Sequence, residues 1–186
     1  MSRSQLLSVA LAAAACSLGA VQIQAGDPFL DFKYRVTRYV QLRSDVERRA
    51  GVQVPSRANP RYAAEAQQRV VEGIRKARDG ADRGDFFRGP TEAAFRQTLD
   101  SLIAAAEGAS IKAALNATSS EPIELTINGD YPASVTLTPV PMGILRALPS
   151  LPDGLEYRFI PRHLVLYDAR ANLVLDYMTM SSGAAL

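Results

Sequence analysis

The chain of 186 residues holds one cysteine, one histidine and no tryptophan. Its only thiol, Cys16, can close no disulfide within the chain, and a cut C-terminal to it leaves no thiol nucleophile and no thiolate metal site. The lone histidine, His163, excludes a multi-histidine metal centre. No acidic residue precedes Asp27, and Gln22 and Gln24 interrupt the N-terminal apolar stretch, which therefore falls short of the roughly 20 residues a membrane-spanning helix needs. The chain contains no glycine-rich phosphate loop and no glycine-framed nucleophilic serine. The formal net charge of +2 makes no electrostatic case for nucleic acid or an acidic membrane. These absences argue against redox, zinc and nucleotide chemistry and leave a carboxylate-only enzyme open. The expectation is no cofactor and no bound metal.

Hydrophobic residues make up 47% and charged residues 22% of the chain, a globular balance that suits one domain at this length. The start has a different character. Met1 to Gln5 carries Arg3, Leu6 to Ala15 is apolar, and Cys16 to Ala25 ends on a small residue. That order is the pattern of a secretory signal. We expect residues 1–25 to be a signal peptide cut after Ala25, residues 26–186 to be a single domain of net charge +1, and the protein to be periplasmic or secreted. Ala13-Ala14-Ala15-Cys16 also partly matches a lipoprotein box, so a lipid anchor on Cys16 is the alternative, and the only route to a membrane.

Apolar spacing predicts helices first and strands later. Asp27-Pro28 is a helix-start signal, followed by Phe32, Val36, Tyr39, Val40 and Val46 on one face. Asn59-Pro60 repeats the signal, and Ala63, Ala66, Val70, Ile74 and Ala77 form the stripe of a second helix. Gly80 to Gly89 is a charged connection holding Phe86-Phe87. A third helix begins near Pro90 and carries Phe95, Leu99, Leu102, Ile103 and Ala106. Residues 111–117 read as a short further helical piece. Ile123 to Ile127 alternates as a strand, with the turn dipeptide Asn128-Gly129 behind it and Val135 to Thr138 as its return. Pro141 to Leu148 reads as a short helix. Leu155 to Ile160, His163 to Asp168 and Leu173 to Met178 are three alternating runs joined too tightly for anything but antiparallel pairing. The expected architecture is α+β: about three N-terminal helices, helical over 27–117, packed on a small antiparallel sheet within a strand-rich 118–180. That sheet ends in a three-stranded meander. Alternation puts Leu164, Leu166, Leu173 and Leu175 on its helix-covered face.

Asn128-Gly-Asp-Tyr-Pro132, Val140-Pro-Met-Gly-Ile-Leu145, Leu148-Pro-Ser-Leu-Pro152 and Leu155-Glu-Tyr-Arg-Phe159 form a combination continued by Leu164-Val-Leu-Tyr-Asp168 and Ala171-Asn-Leu-Val-Leu-Asp176. Over about 50 residues it resembles the C-terminal segment of uncharacterised secreted bacterial proteins. The resemblance implies export and a small α+β fold. It implies no activity and assigns no residue a role.

The candidate catalytic residues are His163, Asp168 and Asp176. His163 is the one side chain that titrates near neutrality, and a hydrolytic set needs it beside a carboxylate and a nucleophile such as Ser181 or Ser182. The simpler reading is a partly hydrated residue opening a strand. Asp168 and Asp176 flank the 169–172 turn and, if buried together, form an acid–base pair. The structural alternative has Asp168 accepting backbone N–H groups of its own turn, Asn172 in the left-handed conformation, and Asp176 paired with Arg158 or Arg170 across the sheet. Asp79, Asp82 and Asp85 come at every third residue and fail the alternate spacing of a calcium loop. Arg69, Arg75, Arg78, Arg83, Arg88 and Arg96 are interleaved with acids and read as a solvated, ion-paired face. Phe86, Phe87, Tyr131 and Tyr157 read as core rather than as a ligand groove. Asn116-Ala117-Thr118 is a sequon that an exporting bacterium leaves unmodified.

The expected function is that of an exported envelope protein without enzymatic activity, binding an unknown envelope protein or small ligand and no nucleic acid. A small periplasmic hydrolase using His163 and a meander carboxylate is the alternative. A lipid-anchored assembly factor follows if Cys16 is the mature N-terminus.

Overall fold

The computed structural model describes residues 26–52, 60–105, 123–133, 140–160 and 163–180. Within them run helices α1 (Leu30–Arg49), α2 (Pro60–Ala77), α3 (Gly89–Ala104) and α4 (Met142–Ala147), then strands β1 (Leu155–Ile160), β2 (His163–Asp168) and β3 (Leu173–Thr179). This is the α+β architecture that the apolar spacing predicts. Residues 1–25, the 111–117 piece, the Val135–Thr138 return, Ser181 and Ser182 lie outside the described residues.

Helix α1 starts at Leu30, later than its Asp27-Pro28 signal, because those two residues form a turn in front of it. Asp27 accepts the Phe29 N–H at 2.9 Å and the Lys33 ammonium at 2.7 Å. Phe32, Val36, Tyr39 and Val46 are buried along one face of α1. In α2 the stripe narrows to Ala66, Val70 and Ile74, with Ala63 and Ala77 exposed. The two helices approach closely where Gly73 faces Val46: a Cβ on Gly73 would lie 2.6 Å from Val46 Cγ1. Pro90 sits in the first turn of α3, where its missing N–H costs nothing. Phe87 of the 80–88 connection packs edge-on against Phe95 of α3 at 5.0 Å, as does Phe32 of α1, and the Phe32 and Phe87 rings stack at 5.7 Å. Tyr157 completes this aromatic cluster; Phe86, Phe87 and Tyr157 are core, whereas Tyr131 is half-buried on the other face of the sheet.

The sheet is an antiparallel meander in the order β1-β2-β3. Leu155 faces Asp168 and Ile160 faces His163 across β1–β2, while His163 faces Thr179 and Asp168 faces Leu173 across β2–β3. Leu164, Leu166, Leu173, Leu175 and Met178 bury against the helices, and Ile160, Val165, Tyr167 and Val174 face the other way. Leu166 pairs with Asp176 but Tyr167 pairs with Val174. Leu175 is thus the extra residue of a β-bulge, and the bulge turns Asp176 toward the helices.

Residues 123–127 form no strand. They cross the second face of the sheet, where Ile123, Leu125 and Tyr131 pack. The chain meets β3 from Asn128 to Tyr131: Asn128 donates to the Val174 carbonyl at 2.8 Å, Val174 donates back to Gly129 at 2.9 Å, and an isolated antiparallel bridge pairs Asp130 with Leu173. A longer ladder is blocked because arginine side chains take the next groups, Arg75 the Asn128 carbonyl and Arg78 the Leu175 carbonyl. Alternation here reflects one side packed on a sheet, which strands and docked loops share.

Leu166 is fully buried in the helix-side core. Leu166→Ala is expected to lower the unfolding free energy by about 2–5 kcal/mol, the cost of deleting a buried leucine side chain. Urea denaturation monitored by circular dichroism reads this directly, and an unchanged midpoint would mean that the sheet faces are assigned wrongly.

Candidate functional site

Both aspartates that flank the β2–β3 turn are fully buried, and the pairing register points both toward the helices. Each is occupied by its own set of donors. Asp168 Oδ1 accepts the backbone N–H groups of Arg170 at 2.9 Å and Ala171 at 3.0 Å, the turn-closing role open to an aspartate at this place. Asn172 closes the turn with φ of 55°. The other oxygen, Oδ2, accepts the Tyr39 hydroxyl at 2.6 Å and Arg43 Nη1 at 3.1 Å. Arg43 is itself buried, and its Nη2 donates to the Asp153 carbonyl at 2.8 Å. Gly154 lets this happen: its φ is +81°, and a Cβ there would lie 2.5 Å from Arg170 Cδ and 3.2 Å from Arg43 Nη1.

Asp176 is held by backbone alone. Its Oδ1 accepts from Gly84 at 2.9 Å and Tyr177 at 2.8 Å, and its Oδ2 from Phe86 at 2.7 Å and Phe87 at 2.8 Å. Burial pushes the Asp176 carboxyl above the usual range, and these four N–H groups pull it back down. Neither expected arginine reaches it: Arg158 pairs with Glu156 and Arg170 with Glu47. The bulge that buries Asp176 carries it away from both.

His163 stands apart. It opens β2 opposite Ile160 and Thr179, five residues from Asp168, with its ring edge-on to Tyr177 at 5.4 Å. The alternation of β2 puts it on the face of Val165 and Tyr167, the opposite side from both aspartates. The structure therefore gathers Asp168 and Asp176 on one side of the sheet and leaves His163 on the other.

Of the arginines in the second half of α2 and the following turn, Arg75 and Arg83 are exposed, as a solvated face requires, whereas Arg78 is enclosed. Arg78 donates to Asn128 Oδ1 at 2.7 Å and to the Leu175 carbonyl at 2.9 Å, and it stacks over Tyr39 and Phe86. Arg83 donates to Thr179 Oγ1 at 2.8 Å and lies over the Tyr177 ring. Arg75 binds Asp130 at 2.8 Å. Together they cover the outer edge of β3, which would otherwise present unpaired backbone groups.

A hollow of about 740 Å³ lies between α1, the end of α2 and the Asp85-Phe86 turn. A second, of about 530 Å³, continues it between α1 and α2 and shares Val46, Arg49 and Ala77 with the first. Tyr39 and Phe86 line its inner wall, and Arg35, Arg38 and Arg49 line its α1 side. Among the described residues no cluster of His, Cys, Asp and Glu is arranged to hold a metal ion.

No known protein family, curated protein or solved structure matches the chain.

Reading the sequence for chemistry singled out the aspartates and missed their partners. Tyr39 and Arg43 are spaced four apart on the buried face of α1, so a charged residue in an apolar stripe was the available signal. The Asp176 cradle has none, because backbone N–H groups leave no mark on residue type.

Burial and the neighbouring Asp168 carboxylate hold the Tyr39 phenol far above its ordinary range, and burial does the same to Tyr157. In the unfolded chain both ionise near pH 10. Below that pH both states keep their protons and the stabilisation is intact; above it only the unfolded chain loses them. Stability should therefore fall as pH rises past about 10, by about 1.4 kcal/mol per pH unit for each tyrosine. Urea midpoints measured across that range should fall less steeply in Tyr39→Phe, and an equal slope would exclude Tyr39 as a source.

Proposed function

We propose that the chain is an exported protein of the cell envelope that works by binding a partner rather than by catalysis. Export rests on the order of charge, apolar run and small residues in positions 1–25 and on the resemblance of the C-terminal segment to secreted bacterial proteins. The observation that carries the binding reading is the saturation of both buried aspartates. Each carboxylate already accepts four hydrogen bonds from the protein itself, and a general acid or base needs an oxygen open to substrate. With His163 across the sheet from them, the three catalytic candidates share no reaction centre. A binding protein needs concave surface, and the open groove along α1 and α2 supplies it.

The export half is tested by the mass of the protein recovered from the envelope. Loss of the first 25 residues is expected, with Gly26 as the new N-terminus. A mass showing Cys16 at the N-terminus with acyl chains would replace this with the lipid-anchored reading.

The binding half is tested by His163→Ala. The variant should fold with an unchanged circular dichroism spectrum and fully restore whatever phenotype deletion of the gene produces. A folded variant that behaves like the deletion would move the hydrolase reading forward.

A further inference from the structure

We propose that the groove between α1 and α2 is a docking site for an acidic, extended peptide segment of a partner protein, an inference that rests on the binding-protein reading above. The two hollows share Val46, Arg49 and Ala77, and between them are lined by Arg35, Arg38, Arg49, Arg69, Lys76 and Arg78. Only Asp45 and Asp85 oppose them there, and both acids have partners: Asp45 bridges to Arg48, and Asp85 lies 3.8 Å from Arg78. No carboxylate among the described residues forms an ion pair with Arg38, Arg49, Arg69 or Lys76. Arg38 instead stacks over Tyr34 and donates to its hydroxyl at 3.2 Å, and Arg69 stacks over Tyr62. Both tyrosines are exposed, at 59% and 47%. Arginine and tyrosine are the residue types that concentrate binding energy at protein interfaces, and stacking holds these two guanidinium groups in place before a ligand arrives.

The charge is local. Across α1 and α2 ten Lys and Arg stand against five Asp and Glu, and the rest of the chain after residue 25 is net acidic. A broad anionic surface such as a membrane or a nucleic acid duplex would meet those acids, whereas a narrow segment lying in the groove would not. Length points the same way. From Tyr34 to Arg49 the wall formed by α1 runs about 22 Å at about 1.5 Å per residue, which matches about six or seven residues of extended chain. The carboxylates of such a segment would meet Arg38 and Arg49 as bidentate partners.

The test uses a fluorescein-labelled peptide of about ten glutamates, read by anisotropy against the purified protein. Binding is expected, weakening as salt rises from about 50 to about 300 mM. The double variant Arg38→Glu/Arg49→Glu should bind at least about tenfold more weakly with an unchanged melting curve. Both side chains are exposed, so the fold does not depend on them; if the reversal does unfold the chain, Arg38→Gln/Arg49→Gln carries the same comparison. Equal binding by wild type and variant overturns the proposal. So does the absence of peptide binding, including the case in which phosphatidylglycerol vesicles or a single-stranded oligonucleotide bind instead. Each of these failures leaves the binding-protein reading standing, because that reading is decided separately by His163→Ala.

Discussion

The structure turns on the carboxylate of Asp168. Its four donors come from two places in the chain, the turn that follows β2 and Tyr39 and Arg43 of α1, and Arg43 donates onward to the Asp153 carbonyl ahead of β1. One buried group thus fixes the position of α1 along the meander and the shape of the β2–β3 turn. An ion pair taken out of water is not by itself a strong source of stability, because desolvation opposes the Coulomb attraction. What such a pair does enforce is geometry. Removing either partner would strand a buried charge at a cost of about 3–5 kcal/mol, so packings of α1 that fail to bring Arg43 to Asp168 are excluded. Gly154 belongs to the same constraint, since any side chain there would collide with Arg170 and crowd Arg43.

Asp176 performs the matching task in the middle of β3. The 80–88 connection has no regular structure to pair its N–H groups, and a buried loop cannot leave them bare. A single carboxylate satisfies Gly84, Phe86 and Phe87 together and presents the two phenylalanines to the aromatic cluster. The arginines of α2 and its following turn then close the edge of β3 from outside. Among the described residues the sheet has three strands, and this covering of its edge and of its second face by residues 123–131 protects it from further strand pairing.

The meander was legible in the sequence because its strands alternate cleanly and its turns carry residues with a conformational reason to be there. Asn128 and Asn172 both adopt positive φ, as their local sequence suggests. The helices were legible from their stripes, with boundaries displaced where Asp27-Pro28 formed a turn instead of the first helical turn. Residues 123–127 misled because packing on one face produces alternation whether or not a ladder forms. Arg78 misled for a related reason. Sequence order mixes the arginines evenly with acids, but a helix sorts residues by angle, and Arg75, Arg78 and Arg83 have hydrogen-bond partners 50 to 97 positions away in the chain.

The same side-chain chemistry therefore does two different jobs in this protein, and burial separates them. Arg43 and Arg78 are enclosed, each with hydrogen bonds to protein oxygens and, for Arg78, aromatic rings on its flanks. Altering them would disturb the fold before it disturbed any ligand. Arg38 and Arg49 are exposed on the opposite side of α1 and engage no carboxylate among the described residues. A helix whose buried arginine locks it to the sheet offers a rigid support for arginines on its outer surface, and rigidity lowers the entropy lost when those groups take up a ligand. The constraint that fixes α1 in the fold is thus also what would make its exposed face a preformed recognition surface.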